Sequence, residues 1–312
     1  MLKQPLTNVD CPSCGNRQNT CIGTIPVART FAGRKLPRPL PGETLYRCKS
    51  CYLFFRYPRL TKDELDTLYQ QGESYLWQHE PESRKDWSIA TNMIRKYSSS
   101  GRILDVGCFD GGFLALLGDS YQRFGIEIHR DAAHRAQQRG IQIIGSDFDI
   151  LKTIPLNFDV VVAMDVIEHV VDPQSFLKAL VKVTRSGGLI ILSTGNSEAP
   201  SWRFMGSRYW YCTLAEHISF INPRWCSNLA SNCGLVLETI ERFSHFSGRN
   251  RLLRQLTDFS KNALYKLAPQ VAALLRKKEC DAKGVSKYDV LSYQPPGWQS
   301  AKDHFMVVFR KV

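Results

Sequence analysis

The chain predicts an α/β fold built on a doubly wound, largely parallel sheet. Three observations carry this. First, Arg102 to Leu114 reads R-I-L-D-V-G-C-F-D-G-G-F-L. The apolar run Ile103, Leu104, Val106 stops at a glycine cluster, and a helical apolar pattern begins with Phe113, Leu114, Leu116 and Leu117. This is the βα corner that opens a nucleotide-binding sheet. Second, apolar runs and helical patterns alternate from there onward. Third, several runs are apolar nearly throughout, as strands covered on both faces are.

At 312 residues the chain accommodates one such domain and a smaller module. No run approaches the roughly 18 apolar residues of a membrane span. Met1 to Asp10 lacks a basic segment followed by an apolar stretch, so the expected location is cytoplasmic. The net charge of +12 is uneven: +8 over residues 1–60, −4 over 61–248 and +7 over 249–288. The basic attachments predict phosphate, anionic lipid or nucleic acid nearby, or simply a solvated face.

In chain order, the first feature is a pair of knuckles, Cys11-Pro-Ser-Cys14-Gly15 and Cys48-Lys-Ser-Cys51. Ten cysteines without an export signal point to metal or burial rather than disulfides. Two C-x-x-C turns complete a tetrahedral four-thiolate site, so Cys11, Cys14, Cys48 and Cys51 are expected to hold a structural Zn2+. Such a filled site has no open position for chemistry; its role is to fold a small module. The 33 residues between the knuckles predict a long loop rich in Pro and Arg (Arg34 to Pro41). Cys21 is expected to be buried.

The aromatic run Tyr52, Phe54, Phe55, Tyr57 reads as a strand. Thr61 caps a helix over 61–71 with acids in its first turn. Tyr75, Leu76 and Trp77 could cover a pocket or pack between domains. A helix over 84–97 leads through Ser98-Ser99-Ser100-Gly101 into the glycine corner. Beyond it, strands are expected at Arg123–Ile128, Ile141–Ile144, Phe158–Met164, Leu189–Ser193, Leu235–Ile240 and His304–Phe309. Helices are expected at Asp131–Arg139, Asp172–Thr184 with Pro173 in its first turn, and Pro223–Cys233.

Ligands of such sheets bind beyond the carboxyl ends of the strands. The polar residues there are Asp105 and Gly107, Glu127, Asp147 and Asp165. Gly107, Gly111 and Gly112 are expected to allow positive φ and close approach of a ligand. They do not form G-x-G-x-x-G, which argues against a dinucleotide. Glu127 lies 20 residues past Gly107, where an acid can accept both hydroxyls of a ribose. Asp147 can accept from an adenine amine and Phe148 can offer the base a ring.

The runs ILDVGCFDGGFL, GIEIH, GSDFDIL, FDVVVAMDVIEHVVDP and LVKVTRSGGLIILSTGN, in this order, resemble the class I S-adenosylmethionine-dependent methyltransferases. The resemblance covers roughly residues 84–245 and the last strand. It implies a Rossmann-like, doubly wound seven-stranded sheet whose last strand is antiparallel. It also implies S-adenosylmethionine as cofactor, its methionine part cradled by Asp105, Gly107, Cys108, Phe109 and Gly111. Glu127 would take the ribose, Asp147 and Phe148 the adenine and Asp165 the cofactor's edge, with Ile128 and Met164 completing the set. Phe109 departs from the family, where glycine is common; its side chain points to the pocket or back into helix packing, and the former is expected.

The D-V-I-E-H-V-V-D-P stretch is similar to a subgroup that includes ubiquinone-biosynthesis and sugar methyltransferases. The cysteine module followed by CYLFFRYPRL and TKDELDTLY resembles the front end of methyltransferases from bacterial polysaccharide and deoxysugar pathways, as does W-Y-x-x-x-x-E-H-x-x-F at Trp210 to Phe220. The expected organisation is a zinc-binding ribbon-like module at 1–60, a helical connector at 61–100, an S-adenosylmethionine-binding domain at 101–248 and 304–312, and a basic amphipathic helical insertion at 249–303.

The expected function is methyl transfer to a small-molecule or glycan acceptor: a sugar, a nucleotide-linked sugar or a lipid-linked glycan. An oxygen or nitrogen acceptor must lose a proton, and His217 beside Glu216 is the candidate base. His169 reads as structural or as lining the cofactor. The alternatives are an RNA methyltransferase holding phosphate on its basic segments, and a cofactor-binding scaffold that does not catalyse. Residues 251–275 form a basic amphipathic helix, either a membrane-surface contact that would place the protein at the inner face of the membrane, or a cap for this domain or a dimer partner. Neither oligomeric state nor acceptor identity is legible.

Overall fold

The computed structural model describes residues 9–32, 34–40, 43–70, 84–155, 157–246, 248, 250–282 and 294–312, the side chains of 276–282 excepted. Tyr75, Leu76 and Trp77 lie outside the described residues.

The N-terminal strands are β1 (Asn19–Thr24), β2 (Ala28–Phe31), β3 (Arg34–Leu40), β4 (Thr44–Cys48) and β5 (Phe54–Tyr57). β2 and β3 form an antiparallel ribbon where a loop was expected. Pro37 and Pro39 are tolerated because, among the described residues, each strand of this ribbon pairs on one side only. Phe31 anchors the ribbon, buried edge-on against Tyr69 at 5.0 Å. Cys21 is exposed rather than buried, since it lies on the outward side of β1, which among the described residues pairs with β4 alone.

Helix α1 (Lys62–Gln70) begins with a capping box: Glu64 Oε2 accepts the Thr61 amide at 2.7 Å, and Thr61 Oγ1 accepts the Glu64 amide at 3.3 Å. Helix α2 (Lys85–Tyr97) then packs Ile89, Ala90 and Ile94 under the main sheet.

That sheet contains β6 (Gly101–Val106), β7 (Tyr121–Ile126), β8 (Gln142–Gly145), β9 (Phe158–Met164), β10 (Thr184–Gly195), β12 (Leu235–Phe243) and β13 (His304–Lys311). Its order is β12-β13-β10-β9-β6-β7-β8. The β8-β7-β6-β9-β10 part is parallel and β13 runs antiparallel to both neighbours, as the resemblance implied. The connecting helices are the one-turn α3 (Gly112–Ala115), α4 (Arg130–Gln138), α5 (Pro173–Val183), α6 (Pro200–Met205) and α7 (Pro223–Ala230). Asp172 caps α5 by accepting the Gln174 and Ser175 amides, with Pro173 where no amide is needed.

The order reverses at β6, which has β7 on one side and β9 on the other. The switch point, where a crevice opens, is therefore at the carboxyl ends of β6 and β9. A two-residue strand, β11 (Ser219–Phe220), leaves this topology and pairs with β5, so the cysteine module's sheet runs β1-β4-β5-β11. Cys11, Cys48, Cys51, Leu53 and Phe55 belong to the same buried cluster as Leu104, Val161 and Ile190 of the large sheet. Between β12 and β13 lie α8 (Arg251–Leu267) and α9 (Pro269–Ala282).

Candidate functional site at the strand ends

The turn after β6 is tight, with the Gly107 and Cys108 amides both donating to Ile126 O at 2.9 and 3.1 Å. Gly107 and Gly111 take φ of +81° and +76°. The positive φ at both is as expected, and their missing side chains also make room for neighbouring protein. A Cβ at Gly107 would lie 2.7 Å from Val166, and one at Gly111 would lie 2.0 Å from Ile141. Gly112 is helical, and its missing Cβ admits the Trp87 ring.

Phe109 itself carries φ +48°, the left-handed conformation that a glycine would take without strain. Its ring lies 5.5 Å from the Arg135 guanidinium of α4, which corrects the expectation of a ring in the pocket: the cation draws it towards the helix. Asp110 is tied to α4 as well, through Arg139 at 2.8 Å. Cys108 turns its thiol inward, to where a Cβ on Gly125 would be 2.4 Å away, so only its backbone faces the turn.

Glu127 is buried, and its two oxygens accept the Phe109 and His129 amides, each at 2.8 Å. It thereby ties the glycine turn to the end of β7. Asp105 is 3% exposed. Burial, then the nearby Glu127 charge, push its carboxyl up to about 7 against the opposing pull of Arg84. Burial likewise raises Glu127. Two buried acids repelling each other beside a strand-to-helix turn favour a ligand that brings positive charge and hydroxyl donors. A sulfonium-bearing nucleoside has both, so these residues fit S-adenosylmethionine. Ile128 is partly exposed beside Glu127, and Met164 is half-buried at the end of β9.

Asp147 lies further out. Its Oδ1 accepts the Asp149 amide at 2.7 Å and its Oδ2 pairs with Lys62 of α1 at 2.8 Å. Phe148 leans on Phe176 of α5, ring centroids 5.3 Å apart. Asp165 takes φ +53° and pairs with Arg84 at 2.5 Å. Burial opposes its ionisation, but the Arg84, His304 and His245 charges hold its carboxyl below the usual value. Arg84 was not foreseen; no motif marks a residue 81 positions upstream of its partner.

Beside Asp165 lies a second polar group. Buried Glu168 accepts from Thr194 Oγ1 at 2.9 Å and from the Tyr211 hydroxyl. Burial and the Asp165 charge push it up to about 7, against the Tyr211 bond. His169 Nδ1 lies 3.1 Å from Glu216 O and 2.5 Å from the Tyr69 hydroxyl. His217 Nδ1 lies 3.0 Å from Tyr211 O, and the two imidazoles are 4.7 Å apart. A carbonyl requires a donor, so Nδ1 of His217 carries the proton and Nε2 the lone pair. Burial, then the neighbouring His169, hold His217 well below its usual value, hence neutral. Glu168, His169 and His217 present ligand atoms within 4.8 Å of one another, a group able to relay a proton or hold a cation. The sequence brought out His217 and His169 but not Glu168, although it stands inside the E-H pair.

The four knuckle cysteines also converge. Cys11 and Cys51 sulfurs are 3.6 Å apart, as are those of Cys14 and Cys48. The surface hollow lined by Asp119, Tyr121, Arg123 and Gly140 lies at the amino ends of β7 and β8, away from all these groups.

A family model described as "Methyltransferase domain" matches residues 81–240. The chain belongs to this family. It is a class I S-adenosylmethionine-dependent methyltransferase, and the match spans the strand ends just described. The methyltransferase is 29% identical over 171 residues to a ubiquinone biosynthesis O-methyltransferase of Xanthomonas euvesicatoria pv. vesicatoria, covering 49% of this chain and 70% of that one. A protein of the same name from Ruegeria sp. is 38% identical over 112 residues, covering 32% and 44%. Among solved structures, an S-adenosylmethionine-dependent methyltransferase of Mesorhizobium loti aligns with TM-score 0.46 at 16% identity, covering 74% of this chain and 100% of that one. No helix among the described residues is long and apolar enough to cross a membrane.

Proposed function

We propose that the methyltransferase methylates an oxygen of a small acceptor bound between the end of β9 and the segment from Trp202 to His217. The observation that carries this is the position of neutral His217, its Nδ1 on the Tyr211 carbonyl and its Nε2 left with the lone pair, grouped with Glu168 and His169. When bound, S-adenosylmethionine supplies an electrophilic methyl group. Asp105, Glu127 and the turn from Gly107 to Gly111 hold it, with Asp147, Phe148 and Asp165 at its borders and Ile128 and Met164 against its apolar parts. His217 Nε2 takes the acceptor's proton, while Tyr211 and Glu216 orient the imidazole pair through their carbonyls. Alignment of the acceptor with the methyl provides much of the rate.

The names of the relatives support oxygen as the acceptor atom. Within that class the reading favoured here is a sugar, nucleotide-linked sugar or lipid-linked glycan, supported by the resemblance of the cysteine module and the Trp210–Phe220 segment. An aromatic hydroxyl is the second reading, favoured by what the relatives are named for. A labelled methyl donor given to the protein with fractionated cell extract decides between them. Label in the glycan fraction supports the first, label in lipid-soluble phenols the second, and label in RNA alone overturns both.

We further infer that Cys11, Cys14, Cys48 and Cys51 hold a structural zinc. Bonds of about 2.3 Å from a tetrahedral centre place sulfurs about 3.8 Å apart, close to the 3.6 Å seen in both pairs. The proposed organisation is a zinc-binding module at 1–60, a connector at 61–100, the cofactor-binding domain at 101–248 and 304–312, and the insertion at 249–303.

A further inference from the structure

Helix α8 sits on the protein the wrong way round. Its buried residues are Asp258, Asn262 and Tyr265, while Leu252, Leu253, Leu256 and Leu267 are 78, 65, 66 and 82% exposed. Amphipathic helices of globular proteins bury the apolar stripe. Here polar bonds fasten the opposite side. Asp258 Oδ2 accepts the amide and hydroxyl of Ser300 at 3.0 and 2.7 Å, and Arg254 bridges Asp258 Oδ1 at 3.0 Å and Gln299 at 2.7 Å. Arg208 adds a bond to Lys266 O at 3.3 Å. These contacts fix the leucine face outward. Across Pro269 the exposed apolar surface continues with Val271, Leu274 and Leu275.

We propose that α8 and α9 dock the methyltransferase on an anionic lipid surface. The charge pattern selects this occupant. At 100° per residue, Lys261 and Lys266 border the leucine stripe on either side; Lys261 is exposed, and the Lys266 ammonium folds back over the Phe204 ring to the Phe204 carbonyl. The one acid of α8, Asp258, is buried beneath the helix and paired with Arg254. Residues 249–288 carry +7 overall, and Arg276, Lys277 and Lys278 follow the leucines directly in sequence. A broad aliphatic face bordered by Lys261, followed in sequence by a basic run and without exposed acids on α8 matches the interface of an anionic bilayer, where leucines enter the acyl boundary and free cations reach the headgroups.

The docked surface adjoins the acceptor wall. Phe259 packs on Phe204 of α6 at 5.4 Å, and Trp202 of the same helix touches Tyr211, whose ring lies tilted against His217 at 4.2 Å. Resting on the proposed acceptor site, this contact favours an acceptor carried by lipid. Docking itself is independent of that reading and is tested without catalysis.

The test is co-sedimentation of the whole protein with vesicles of equal parts phosphatidylglycerol and phosphatidylcholine, against pure phosphatidylcholine. Binding to the anionic vesicles is expected, weakened by salt. The triple variant Leu252→Ser, Leu256→Ser, Leu267→Ser should bind about a hundredfold more weakly. These side chains are exposed, so its far-UV spectrum and S-adenosylmethionine affinity should match the wild type. No sedimentation with anionic vesicles, or equal sedimentation with both kinds, overturns the proposal. So does a lipid-free dimer of the wild type that the triple variant abolishes, since the face would then belong to a second copy.

Discussion

Arg84 reaches from the start of α2 to Asp165 at the end of β9, its Nη2 2.5 Å from Oδ2, and the same guanidinium holds the fully buried Asp86. The pair ties the segment that precedes the large sheet to the switch point itself. Arg84→Ala leaves Asp86 buried without its cation. Breaking a buried pair from one side costs about 3–5 kcal/mol, and urea denaturation should show a loss of that order. Adding Asp86→Asn to the variant should restore much of it, because the double change removes the stranded charge.

Glu127 accepts one amide from the glycine turn, that of Phe109, and one beyond β7, that of His129, and in the proposed function it takes the ribose. Glu127→Ala should weaken S-adenosylmethionine about a hundredfold or more, since bonds to a charged group are each worth about 1.5–3 kcal/mol. Calorimetry on wild type and variant measures this. Equal affinity would remove Glu127 from the cofactor site.

Asp105 and Glu168 are both pushed up to about 7 by burial. An unfolded chain holds such acids near about 4. A raised acid favours the protonated native state, so its stabilising contribution is complete below about pH 4 and is lost as pH rises to about 7. The cofactor-free protein should therefore lose on the order of 3 kcal/mol per group across that window. Asp105→Asn should flatten its share of the slope in denaturation curves taken at several pH values.

Much of this architecture was legible because its signals are local. Gly107 and Gly111 mark the corner, Pro173 and Thr61 mark helix starts, and four acids follow four strands at regular intervals. The illegible parts depend on contacts between distant segments. Nothing near Phe109 foretells that Arg135 will draw its ring, and nothing near Ser219 foretells that it will pair with Phe55. The Pro-rich stretch at 34–40 forms a strand because Phe31 and Ala32 find a buried seat, which only tertiary packing supplies. In α8 the periodicity was plain, but which face turns inward depended on Ser300 and Gln299, beyond the helix.

His217→Gln should lower kcat by about a hundredfold to ten-thousandfold and leave cofactor affinity unchanged. Because burial holds the wild-type imidazole well below 6.5, activity should not fall on acidification until the pH is below that value. An acid limb centred at or above 6.5 would point to a different base.

The cysteine cluster gives the last expectation. Cys11, Cys14, Cys48 and Cys51 bring four sulfurs together, and a metal there would bind them as thiolates. Elemental analysis should find one zinc per chain, absent from the Cys11→Ser, Cys48→Ser variant. A compact four-thiolate set is worth about 10 kcal/mol or more of metal binding in isolated modules. Here the stabilisation should spread beyond the module, because Cys11, Cys48 and Cys51 share a core with Leu104 and Val161, and Trp225 of α7 donates to Ser13 between the first two cysteines at 3.0 Å. Chelation should therefore lower the melting temperature of the whole protein in one transition. A separate low-temperature transition for the module, with the main transition unmoved, would show that the two parts fold independently.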